Sequence, residues 1–300
     1  MSQEASLFIV VEGRDVDVPF YEGIAKSSPS VRAKGYQIWL VEQITREVRS
    51  NEGATSRSAG GKQAVLALFD LYKAAGILSV SNSHGRRSVI FCVDKDMDDV
   101  AKVLRRSSHV AYTPMADAEA CVFAFADPVA GLVRATSLSE ADAREFVNQH
   151  PDPMGDLANI WRAWIQLCAL AIAHSAHCHV GTTKPSSINH QAYGAVDRAE
   201  VAIALRLIRR KSQLPVGRHA SLERRVSERI ARLYASGNGR RLVGKHWIIP
   251  YLRSRLGAFF GNAPIGLANI KHKAPVAYLS ALDFSGGWAT PYRRRFEGLL

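Results

Sequence analysis

Hydrophobic positions along this chain come first as short unbroken runs and later as helical stripes. Leu7 to Val11 is five apolar residues bounded by polar ones, and Ser88 to Val93 (SVIFCV) repeats the pattern. Runs of that length, rich in branched and aromatic residues, predict strands buried on both faces of a parallel sheet. Tyr36 to Val41 (YQIWLV) and His109 to Thr113 predict two further strands. Between them, Asp15 to Lys26 and Gln63 to Ala75 carry apolar residues at helical spacing, with Asp15 as N-cap of the first. Asn82 to Arg87 reads as a loop. A short helix follows from Asp98 to Arg105, capped by Asp98, and Ala116 to Ala126 begins a helix or a turn into one. Strands alternating with helices predict an α/β unit.

After Asp127 the pattern changes. Ser139 to Asn148, Leu157 to His174, Arg198 to Lys211 and Leu222 to Ala235 read as helices, and no strand is convincing. The expected fold class is therefore α/β, a parallel sheet flanked by helices over 1–135, then a mainly helical region over 136–300. The Pro-rich stretch Gln149 to Gly155 reads as a linker.

Charge sharpens this division. The 300 residues carry a formal charge of +12. Residues 1–197 hold 19 basic and 22 acidic side chains, 198–255 hold 15 and 3, and 256–300 hold 5 and 2. One block supplies the excess. Arg209, Arg210, Lys211, Arg224, Arg225, Arg240 and Arg241 lie within it, too many to be balanced by local ion pairs. A polyanion such as DNA or RNA is the expected partner. Trp247 and Tyr251 in the same block read either as core or as rings that stack on bases. The tail Pro291 to Arg295 is expected to extend the basic surface.

Other classes are disfavoured. The apolar stretch Leu157 to Ala173 carries Arg162 and Gln166 and is barely long enough to span a bilayer, so a buried helix is expected and no membrane. The N-terminus shows no basic region leading into an apolar one, and the four cysteines form no CxxC pair, so reduced thiols in a cytoplasmic protein are the expectation. Gly60-Gly61-Lys62 is not a phosphate-binding P-loop, because Ser56 and Gln63 stand where that pattern needs Gly and Ser or Thr. The cluster His174, His177, Cys178 and His179 lacks a second ligand pair for zinc, and histidines suit the end of a helix.

Candidate chemistry lies where the two strongest strands end. Glu12-Gly13 follows the first. Asp94-Lys95-Asp96-Met97-Asp98-Asp99 follows the strand 88–93. In a parallel sheet both emerge at the carboxyl edge, where ligands bind in open α/β folds. Converging carboxylates repel one another unless a cation lies between them, and hard ions such as Mg²⁺ or Mn²⁺ take oxygen ligands. Asp117 and Glu119, after the next strand, can reach the same edge.

A hydrophobic strand with Glu12-Gly13, then a hydrophobic strand with Asp94-x-Asp96, resembles the TOPRIM domain of topoisomerases, primases and OLD-type nucleases. VEGRDVDVPFYEGI, Gly60-Gly61-Lys62 before a Val-rich helix, and VDKDMDD are most similar to the small TOPRIM nucleases of ATPase-coupled anti-phage systems. The resemblance covers about residues 5–125. Ala120 and Cys121 depart from it where that group carries asparagine. It implies a metal-dependent endonuclease, with Glu12 as ligand or general acid/base, Asp94 and Asp96 holding Mg²⁺ or Mn²⁺, Asp98 in support and Glu119 on a second ion. Gly244-Lys245 is similar to a basic element of the group, which makes Lys245 a candidate to stabilise phosphate charge. A homodimer controlled by a separate ATPase is implied as well. Two alternatives share these residues: a non-catalytic subunit that docks on an ATPase or nucleic acid, and a primase-like nucleotidyl transferase.

Overall fold

The computed structural model describes residues 6–44, 61–83, 85–101, 104–175, 185–261 and 265–300. The polar stretch from Thr45 through Gly60, and His177, Cys178 and His179, lie outside the described residues.

The sheet is built on β1 (Leu7–Val11), which pairs in parallel with β2 (Tyr36–Leu40) on one side and β4 (Gly85–Val93) on the other. The far side of β4 is shared. Its first half pairs antiparallel with β3 (Ser79–Asn82), and its second half pairs in parallel with β5 (Val110–Tyr112). The strand from 79 to 82 is absent from the sequence reading, and part of the expected loop 82–87 belongs to β3 and β4. Ser-Val-Ser-Asn is short, mostly exposed and nearly apolar-free, as edge strands often are, so it carries no hydrophobic signature.

Alternate residues of β1 and β4 feed two cores. Leu7, Ile9, Val11, Ile90 and Cys92 face one side. Val10, Val89, Phe91 and Val93 face the other. The second side is covered by α3 (Gly61–Ala74), which buries Val65, Leu68 and Phe69. The first is covered by α1 (Asp17–Ser27) through Phe20, Tyr21 and Ile24. Two short helices complete this part, α2 (Pro29–Lys34) and α4 (Asp98–Ala101), the latter shorter than expected. Asp15 does not cap α1. The N-cap position is Val16, and Asp17 one residue later accepts the Gly13 N–H at 2.8 Å.

The remainder is helical: α5 (Ala118–Phe125), α6 (Pro128–Ala135), α7 (Glu140–Gln149), α8 (Pro153–Ile160), α9 (Arg162–Ala173), α10 (Arg198–Lys211), α11 (His219–Ala235), α12 (Lys245–Phe260), α13 (Ile270–Leu279) and α14 (Thr290–Glu297). The expected single helix 157–174 is broken at Trp161, whose indole N–H donates to Ala192 O and whose ring stacks on Tyr193. Within 149–155, Asp152 caps α8 by accepting the Gly155 N–H at 3.0 Å. Trp247 and Tyr251 are core rings: Trp247 packs edge-on against Trp164, and Tyr251 is buried. In the tail, Arg294 and Arg295 are exposed and Arg293 is half-buried, while the apolar face of α14 turns inward. Tyr292 and Phe296 of α14 are buried, and Tyr292 packs against Phe20 and Tyr21. One continuous apolar cluster thus runs from Leu7 to Leu299. Among the described residues no helix is long and apolar enough to cross a membrane.

Candidate active site at the strand ends

Because β1 and β4 are parallel and adjacent, the chain leaves both at one edge. There the Asp94 N–H donates to Glu12 Oε1 at 3.1 Å. Asp94 Oδ1 in turn accepts the Ala118 N–H at 3.1 Å, at the start of α5. Asp117 caps that helix, taking the Ala120 N–H at 2.6 Å on Oδ1 and the Lys245 N–H at 2.8 Å on Oδ2. The first residue of α12 is thereby fastened to the strand-end cluster. Gly244 makes this approach feasible, because a Cβ there would lie 2.8 Å from Asp117 Oδ2.

The carboxylates crowd one another in a poorly solvated space, and their affinity for protons shows it. Burial pushes Glu12 up to about 7; the Asp94 N–H opposes this, and the negative charges of Asp17 and Asp96 add to it. Burial pushes Asp117 up to about 7, reinforced by Glu119. Asp17 rises to about 6 through burial and Glu119, against the Gly13 N–H. Asp94 is raised well above the usual carboxylate range by burial and by repulsion from Asp117, Asp17 and Glu12. Each group resists ionisation partly because the others are near.

Two lysines enter this cluster. Lys245 Nζ donates to Glu119 Oε1 at 2.6 Å. Lys62 Nζ lies 2.6 Å from Asp98 Oδ2 and 2.9 Å from Asp96 Oδ2, and also donates to Lys95 O at 3.3 Å. Burial alone would favour neutral amines, but the acidic partners outweigh it and both remain ammonium ions. Gly61, at φ +74°, turns the chain so that Lys62 enters beside the acids. Asp96 itself holds the left-handed region at φ +49°, fixed by its N–H to Ala116 O at 2.7 Å.

Glu12, Asp94, Asp96, Asp98, Glu119 and Lys245 therefore occupy one neighbourhood. Sequence reasoning missed Asp17 and the place of Lys62. Signals existed for both. Asp17 shares a helical face with Tyr21 and Ile24, an acid on an otherwise apolar stripe. Lys62 opens a helix, where the macrodipole disfavours a cation unless acids compensate.

The expected nucleic-acid residues divide into two sets. Arg209 forms a forked pair with Glu223, at 2.8 and 2.6 Å, and Arg241 Nε donates to Pro114 O at 3.0 Å. Arg210, Lys211, Arg224 and Arg225 are exposed, and Arg240 is half-buried. Helix α11 is tied to the helix that begins with Asp98: Arg229 donates to Val100 O of α4. His174 is buried at the end of α9, bonded to Ser212 Oγ at 3.0 Å.

Among the described residues no group of three or more His, Cys, Asp or Glu side chains is arranged to hold a metal ion. The donors at the strand ends are nonetheless all carboxylate oxygens, and burial raises the proton affinity of Glu12, Asp94 and Asp98. The Lys62 ammonium already lies between two of them, Asp96 and Asp98. The pocket favours positive charge, and an oxygen-only donor set is the kind that hard divalent cations take. A cavity of about 360 Å³ opens over Lys62, Asp96, Asp98, Asp117 and Gly244. No family model, curated protein or solved structure matches this chain.

Proposed function

We propose that the chain is a TOPRIM-like, metal-dependent nuclease that hydrolyses phosphodiester bonds in DNA or RNA. The observation that carries this reading is the contact between Glu12 and Asp94 at the ends of two adjacent parallel strands, inside a crowded carboxylate pocket. The resemblance of the Glu12-Gly13 and Asp94-x-Asp96 segments to TOPRIM nucleases supports it. So does the exposed basic surface of α10 and α11.

Glu12, Asp94 and Asp96, with Asp98 in support, would hold Mg²⁺ or Mn²⁺, and Glu119 a second ion. When bound there, the ion would stabilise charge on the phosphate and acidify water. Lys245 adds fixed positive charge beside Glu119, suited to a negatively charged transition state. Glu12, raised to about 7, can hold or release a proton near neutral pH. The resemblance extends the proposal to a cytoplasmic homodimer that acts in anti-phage defence under a separate ATPase.

A second reading rests on Lys62. Its ammonium neutralises Asp96 and Asp98 without any metal, as a binding subunit that only docks on nucleic acid or an ATPase requires. Cleavage assays on DNA, tRNA and other RNA with Mg²⁺ or Mn²⁺, with the partner ATPase present, decide between them. The nuclease reading expects cleavage that Glu12→Gln and Asp94→Asn abolish. No cleavage with either metal, and cell toxicity unchanged in Glu12→Gln, would leave the binding subunit.

A further inference from the structure

A second, larger cavity of about 960 Å³ leads away from the acid pocket between α12 and α13. Its inner end is formed by Glu119 and Lys245, and its walls carry His246, Arg253, Lys271 and His272. Lys245 is committed to Glu119. Arg253, Lys271 and both histidines make no hydrogen bond or ion pair among the described residues, so the charge of Arg253 and Lys271 and the hydrogen-bonding capacity of the two rings are unspent. His246 and Arg253 stand seven residues apart, two turns along one face of α12. The rest of the wall is mainly apolar, with Ile249, Pro250, Leu267 and the well-exposed Val276, and Asp15 is its one acid besides Glu119. At the inner end Glu119 Oε2 is buried and has no hydrogen-bond partner, an acceptor that the protein leaves unsatisfied.

We propose that this groove holds a single strand of nucleic acid and leads it to the carboxylate pocket. The inference rests on the nuclease reading and names the form of substrate. Unpaired cations beside a mainly apolar wall match a ligand that alternates phosphates with exposed base faces. A duplex fits poorly, because its base faces are stacked inside and it offers the apolar wall nothing. The volume suits a segment of a few nucleotides. The outer arginines of α10 and α11 then contribute attraction from solution, and Arg253 and Lys271 fix the strand.

The test is binding of fluorescein-labelled oligonucleotides, single-stranded DNA, single-stranded RNA and duplex, by the full chain in EDTA. This separates binding from cleavage. Either single strand should bind more tightly than the duplex. Arg253→Ala/Lys271→Ala should weaken that binding roughly tenfold and reduce the salt dependence by about one unit of slope per lost phosphate contact. Both side chains are exposed and unpaired, so the melting temperature of this variant should match that of the wild type. Arg210→Ala/Lys211→Ala should weaken single strand and duplex alike. Unchanged single-strand affinity in the groove variant overturns the proposal. Duplex bound as tightly as single strand, or a mononucleotide that competes as well as the oligonucleotide, also overturns it. Strand binding in the groove without cleavage on added metal counts against the nuclease reading alone.

Discussion

Glu12 Oε1 accepts the backbone N–H of Asp94 at 3.1 Å, a bond between residues 82 positions apart. It exists because β1 and β4 are parallel neighbours in register, Leu7 opposite Ser88 and Val10 opposite Phe91. It places the carboxylate of one strand end against the backbone of the other, and the consequences are measurable.

The first concerns pH. The folded state raises Glu12 from 4.5 to about 7. A raised carboxylate contributes its full stability below the unfolded value and loses it as pH rises through the folded one. Metal-free protein should therefore be less stable at pH 8 than at pH 4.5, by about 3 kcal/mol for Glu12 alone. Asp17 and Asp117 shift in the same direction and add to the effect. Urea unfolding in EDTA across this range checks it. Glu12→Gln keeps an acceptor for the Asp94 N–H and removes the charge, so it should make the profile shallower by the share that Glu12 contributes. A wild-type profile that is flat between pH 4.5 and 8 contradicts the raised carboxylates.

The same residue separates stability from activity. Glu12→Gln should be at least as stable as wild type at pH 8 without metal, and on the proposed nuclease reading should lose roughly 100-fold or more in phosphodiester cleavage. A variant that is both less stable and fully active would place Glu12 outside the chemistry.

Lys62 supplies a third test. Its ammonium bridges Asp96 and Asp98 at 2.9 and 2.6 Å. Lys62→Met leaves these acids without their cation and should cost about 1–3 kcal/mol in metal-free buffer, discounted because Asp96 is half exposed. If Mg²⁺ occupies the same place, the variant should bind it several-fold more tightly by calorimetry. Affinity equal to wild type would mean that ammonium and metal do not compete.

Much of this site is legible in the sequence because its strands are. Leu7 to Val11 and Val89 to Val93 face both cores, so each is an unbroken apolar run, and the acid that follows is visible as the first polar residue. Asp94 and Glu12 could be paired on that ground alone. Lys62 could not: its place at a helix start calls for compensating acids, but those acids lie more than thirty residues away and the local sequence does not name them. Asp17 was hidden by the neighbouring Asp15, the more conventional cap. The break at Trp161 is equally silent, since apolar residues continue through it and the cause is a tertiary bond to Ala192 O. Arg209 and Arg241 look like any other basic residues in the chain, and only the fold directs them to Glu223 and Pro114.

Gly244 tests the link between α12 and the strand ends. A Cβ at this position would lie 2.8 Å from Asp117 Oδ2, which accepts the Lys245 N–H. Gly244→Ala should displace the Asp117 carboxylate or the start of α12, costing about 1–3 kcal/mol and reducing cleavage. Gly257 in the same helix meets only Leu267 Cδ1, at 3.8 Å, so Gly257→Ala serves as the control and should be tolerated. Equal stability and activity in the two variants would show that the contact has no consequence.

The last prediction concerns how the acid pocket is supported from behind. Tyr292 is buried between Phe20 and Tyr21 of α1, and its hydroxyl donates to Tyr112 O at 3.1 Å, at the end of β5. One ring from the far end of the chain thus holds both the helix that carries Asp17 and the strand that precedes Asp117. Tyr292→Ala should cost about 3–5 kcal/mol through the cavity it leaves and the hydrogen bond it removes. Tyr292→Phe, which keeps the ring, should cost about 1 kcal/mol. Residues 1–135 expressed alone lack α14 and expose Phe20, Tyr21 and the sheet face beneath them. That fragment should populate a loosely packed state with bound ANS fluorescence and no cooperative melt. A cooperative melt of the fragment would show that the sheet and its acid cluster fold without the C-terminal helix.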